Sequence, residues 1–64
     1  MAIRSLRHEN SVIWFVADDL GMPVSYGYLS REQAEQVEEL IESSNGEAEI
    51  PRGIDVEKIL ADSK

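Results

Sequence analysis

The stretch SVIWFVA at 11–17 carries apolar side chains on both sides of the chain, and this limits what the other residues can fold into. It is β-branched and aromatic throughout and too short to form a stable helix by itself, so it reads as a strand. Successive side chains of a strand face opposite ways, which places Val12, Trp14 and Val16 on one face and Ile13, Phe15 and Ala17 on the other. An antiparallel sheet covered by a helix on one side only would carry polar residues on its other side. Both faces of this strand need cover, from elsewhere in the chain or from another molecule.

The segments after it supply part of that cover. Asp18–Pro23 (DDLGMP) reads as a turn, with aspartates that bond their own backbone and Gly21 to supply a positive φ. Val24–Tyr28 alternates, Val24, Tyr26 and Tyr28 against Ser25 and Gly27, and Pro23 suits the first position of an edge strand. A hairpin over 12–28 follows. Next, SREQAEQVEELIESSNG at 30–46 reads as one amphipathic helix over 30–44. Ser30 is its N-cap with Gln33 at the capping-box position, Leu29 and Ala34 stand at the staple positions, and Gly46 is the left-handed stop. Ala34, Val37, Leu40 and Ile41 form its apolar face; Glu32, Glu35, Glu38, Glu39 and Glu42 cover the remainder.

Beyond the helix, 47–50 is either a short third strand or an extended connector. Asp55 caps a short final helix over 55–61, whose Val56, Ile59 and Leu60 make an apolar stripe. Fewer than two turns need something to dock on, and the second face of the hairpin, or a partner subunit, is available. Residues 1–10 admit several readings: one end of the core, an extended strand, or a flexible or exchanged arm. The fold class is therefore α+β, a single small domain over 1–64 with a small antiparallel sheet packed on one amphipathic helix.

Size and charge bound the function. A 64-residue chain buries only ~60% of its unfolded surface and nets about 3–5 kcal/mol from its core. Without cysteine it has no disulfide and no thiolate zinc site, which leaves oligomerisation as the common staple. The two-sided apolarity of 12–17 predicts a homodimer through Ile13 and Phe15, or through exchanged terminal segments, with a monomer as the alternative. Thirteen acids against six bases give −7, distributed as +2 over residues 1–8 (Arg4 and Arg7) and −9 over the remainder. So acidic a body repels phosphate backbones and anionic lipid within a Debye length of about 8–10 Å. Direct nucleic-acid binding and membrane binding are not expected, and with no targeting or spanning segment a cytoplasmic protein is.

Three constellations bear on chemistry. VADDLG at 16–21 resembles the start of sulfatase-type hydrolases, where a strand ends in paired aspartates that hold a divalent metal. The likeness covers only that hexapeptide, the family's Cys/Ser-x-Pro-x-Arg nucleophile motif is missing, and the chain is too short for its α/β domain, so these residues read as turn chemistry and no metal is expected. Trp14, Phe15, Tyr26 and Tyr28 make a stacking platform by composition, yet 9–30 holds no Lys or Arg, and core or interface use is the reading. No nucleophile–base–orienter set can be named around His8 or the serines; neither an enzyme nor a cofactor is expected.

The remaining candidate is a row of carboxylates, Glu32, Glu35, Glu39 and Glu42, which runs roughly 15 Å along the helix at ~1.5 Å per residue. It is a solvated surface, a docking face for a basic, often nucleic-acid-binding, protein, with carboxylates standing where phosphates would, or an ion-paired contact with the chain's own basic arm at 1–10. Small regulators and inhibitors of that kind, bacteriophage proteins among them, share this size and charge. The second class is a structural or oligomerising accessory module, antitoxin-like or a small phage or bacterial domain, whose acidic face is solvated only.

Overall fold

The computed structural model describes residues 1–45 and 47–62. Strand β1 (Ala2–His8) turns at Glu9–Asn10 into strand β2 (Ser11–Ala17), and helices α1 (Arg31–Ser44) and α2 (Val56–Asp62) follow. The fold is α+β, a two-stranded antiparallel sheet packed with two helices. The Cα radius of gyration, 11.1 Å, is close to the ~10.7 Å expected of a folded chain this long.

β2 is the centre. One of its faces enters a cluster of Val16, Tyr28, Ala34 and Val37, with Ile3, Trp14, Tyr26, Ile41 and Ile50 packed against it. The other joins Ile13, Phe15, Ala17 and Val56, with Leu6, Ile54 and Ile59 around them. The two-sided apolarity of this strand is thus answered within one chain, by α1 on one side and α2 on the other. Gly27 makes the second packing feasible: a Cβ there would lie 2.7 Å from Val56 Cγ2 and closer still to Ile13 Cγ2.

The main hairpin differs from the expected one. Its first strand is the amino-terminal segment, in register from Ala2↔Ala17 to His8↔Ser11, with Glu9 and Asn10 at φ 48° and 66° in a tight turn with both central residues left-handed. Within residues 1–10, Ala2–His8 is a strand and Glu9–Asn10 the turn that follows it, so the segment is not a loose arm. Segment 23–28 does run antiparallel along the far edge of β2, but through isolated bridges, Ala17↔Pro23 and Trp14↔Tyr28. The cause is Ser25. Its hydroxyl accepts the Val16 N–H at 2.9 Å and donates to the Tyr26 carbonyl at 2.9 Å, while Val24 N–H goes to the Val16 carbonyl at 2.9 Å. Trp14 and Val16 are two apart on β2, whereas Tyr28 and Val24 are four apart opposite them, so the partner segment bulges and regular pairing stops.

The turn before it forms as expected. Asp18 Oδ1 accepts the Leu20 and Met22 N–H groups, each at 2.9 Å, and Gly21 has φ 84°. Residues 47–50 form no strand; they are the extended connector of the two readings, held by Ala48 N–H to Ser44 Oγ at 3.0 Å and by Ile50 against the core. A further bridge falls later, Gly27↔Ile54.

The helix ends are corrected in detail. Ser30 does sit at the N-cap in extended conformation, yet its side chain makes no cap hydrogen bond, and Leu29 is 69% exposed, so no staple closes on Ala34. The left-handed stop is Asn45 at φ 56°, its N–H on the Ile41 carbonyl; Gly46, expected in that role, lies outside the described residues. Ala34, Val37 and Ile41 face the core, whereas Leu40, on the flank of the stripe, is 41% exposed. Asp55 caps α2 as expected, Oδ1 accepting from Lys58 N–H at 3.2 Å.

Candidate functional site

The acidic face of α1 is positioned by the apolar stripe behind it. Because Ala34 and Val37 are buried against β2, the helical period turns Glu32, Glu35, Glu39 and Glu42 outward, and all four are exposed. Glu38, on the flank of the core stripe, is half-buried instead. Glu35 takes part in an ion pair, Arg31 Nε to Glu35 Oε1 at 3.4 Å, and the same guanidinium lies over the Trp14 ring at 5.6 Å from its centroid. Glu32, Glu39 and Glu42 form no ion pair among the described residues. The last turn of α1 carries no base, so Glu42 meets the negative end of the helix dipole unrelieved. The face is a fixed line of negative charge with one cation at its amino-terminal end.

The sequence pattern places Leu40 with the buried stripe, but it stands exposed beside that line. Leu40 lies with Gln36, Glu39 and Ser43 around an open depression of about 350 Å³. The signal was present in the helical period: Leu40 follows Val37 by three but precedes Ile41 by only one, which places it at the margin of the stripe.

The two residues expected at an oligomer interface are elsewhere. Ile13 and Phe15 are 2% and 4% exposed and pack on Val56 of the same chain. The apolarity that predicts a dimer is used inside the protomer. A second groove, about 340 Å³, runs between Pro23–Tyr26 and the start of α2, lined also by Ile50, Asp55, Val56 and Glu57. Of the two hydroxyls that line it, that of Ser25 already bonds Val16 N–H and the Tyr26 carbonyl.

Among the described residues, Tyr28 is the group whose titration clearly departs from the ordinary. It is 4% exposed, its hydroxyl donates to the Pro51 carbonyl at 2.6 Å, and burial, helped by nearby Tyr26, raises its pKa above the usual tyrosine value. That bond ties the connector to the core and is structural. Asp18 Oδ1 is engaged by its own turn, and Asp19, with a 98% exposed side chain, lies 3.5 Å from the amino group of Met1. Among the described residues no three His, Asp or Glu side chains converge as a metal site would require, and no helix is long and apolar enough to cross a membrane. No protein-family model, no curated protein and no solved structure matches the chain.

Proposed function

We propose that this chain is a small, acidic, non-enzymatic binding protein of the cytoplasm. It lays the Glu32–Glu35–Glu39–Glu42 face of α1 on the basic, often nucleic-acid-binding, surface of a larger protein and so regulates or inhibits it. The observation that carries the reading is that all four carboxylates are exposed along one helix face while, among the described residues, only Glu35 of the four is paired. Like charges at these spacings cost a helix a few tenths of a kcal/mol per pair, a cost that a basic partner removes on binding. Leu40 at the margin offers an aliphatic contact next to the charges.

The test compares the protein with its Glu32→Gln, Glu35→Gln, Glu39→Gln, Glu42→Gln variant, each immobilised and exposed to lysate at low and at high salt. Basic proteins retained by the unaltered protein at low salt, released as the Debye length shrinks, and never captured by the variant are the expected result. If the variant retains the same proteins, the docking reading is wrong. The face is then only solvated, and a structural or oligomerising accessory role takes its place.

A further inference from the structure

The backbone of β1 has an open edge, and the charges beside it select what can join it. Trp14 donates its N–H to the Tyr28 carbonyl at 2.7 Å and its carbonyl accepts from Tyr28 N–H at 2.8 Å, on the side of β2 away from β1. Its cross-strand neighbour Ser5 is then a non-hydrogen-bonded pair, so the N–H and carbonyl of Ser5 also point away from β2. With a period of two, Ile3 and Arg7 do the same. The backbone groups of Ala2, Arg4, Leu6 and His8 point inward. Among the described residues no backbone bond from outside the hairpin reaches Ile3, Ser5 or Arg7.

Protein edges are normally blunted by proline, a bulge, shortness or charge. β1 runs seven residues without proline and in unbroken register, so charge alone guards it. That charge is of one sign. Arg4 and Arg7 are exposed, lie on opposite faces of the strand, and form no ion pair among the described residues, although the chain as a whole carries −7. A second copy of β1 would bring two more arginines to the same junction and be disfavoured, whereas an acidic strand would be favoured. The geometry points to β1 as a site for strand addition by an extended acidic segment of another protein. This use of the molecule is separate from the helix face. In an antiparallel arrangement the residues opposite Arg4 and Arg7 are three apart in the incoming segment, so the preferred sequence has two acids separated by two residues.

The probe is an acetylated, amidated peptide, Thr-Glu-Val-Thr-Glu-Val-Thr, with a control in which lysine replaces both glutamates. Titrated into the 15N-labelled protein, the acidic peptide is expected to slow amide exchange at Ile3, Ser5 and Arg7 and to leave the inward amides unchanged. The lysine peptide should bind about tenfold or more weakly. Ser5→Pro deletes an outward N–H that the fold does not use, so it should keep the native Trp14 fluorescence and lose the peptide. Arg4→Glu with Arg7→Glu should reverse the preference between the two peptides, and it remains informative if the proline variant does not fold. Equal affinity for both peptides, protection at any other set of amides, no binding at millimolar peptide, or sedimentation showing β1 already paired in a dimer would overturn the proposal.

Discussion

At the residue scale the two helix starts, which look alike in sequence, behave differently. Ser30 occupies an N-cap position without a side-chain bond, whereas Asp55 Oδ1 is bonded to Lys58 N–H. Removing a working cap costs about 0.5–2 kcal/mol. Asp55→Ala is therefore expected to lower the urea midpoint measurably, and Ser30→Ala to change the unfolding free energy by less than about 0.5 kcal/mol. Equal losses would mean that Ser30 caps α1 in solution. Tyr28 supplies a prediction in pH. Its folded pKa lies above its unfolded one, so the unfolded state ionises first. The stability contributed by the neutral phenol is complete below about pH 10 and is lost as pH rises through the folded value. Tyr28→Phe should cost about 0.5–1.5 kcal/mol at neutral pH through the lost bond to Pro51, and its stability should fall less steeply in alkali. A slope unchanged by the substitution would contradict the burial of that phenol.

At the element scale the β1–β2 turn is the weakest local match between sequence and backbone. Left-handed φ values at Glu9 and Asn10 strain any residue with a Cβ, glutamate more than asparagine. Substituting Asn at 9 and Gly at 10 suits both positions and should raise stability by about 0.5–1 kcal/mol, seen as a higher thermal midpoint with unchanged circular dichroism. A lower midpoint would show that the hairpin does not close through this turn. The same mismatch hides the amino-terminal strand from sequence pattern. Asp18–Pro23 announces itself through Asp, Gly and Pro, whereas Glu9–Asn10 offers Asn10 alone, so the sequence pattern favours the partner that follows strand 11–17 over the one that precedes it. The alternation of 24–28 was real, and the segment does lie along β2. What no pattern displayed was the Ser25 hydroxyl taking a backbone hydrogen bond and breaking the ladder.

At the scale of the whole molecule, β2 is a shared wall between two small cores, and charge is divided between a basic strand and an acidic helix. Changing Glu32, Glu35, Glu39 and Glu42 to glutamine moves the net charge from −7 to −3 and touches no core residue. The variant should be as stable as the parent or more so, by a few tenths of a kcal/mol per relieved pair, with the gain shrinking in salt. Destabilisation would mean that the row makes contacts within the chain beyond the Arg31–Glu35 pair.

The sequence by itself determined the elements whose information is local. A period of two marked 11–17 as a strand needing cover on both faces. A period of 3.6 set α1 and turned its four glutamates outward, and Asp18, Gly21 and Asp55 fixed a turn and a cap through bonds to backbone nearby. Only the tertiary structure decided which segments answer one another: β1 rather than 24–28 as the continuous partner of β2, α2 rather than a second subunit over Ile13 and Phe15, and Leu40 left outside. Those outcomes depend on competition among distant segments for the same backbone groups and the same apolar area. Side-chain period reports which way a residue faces and is silent on what it will meet there.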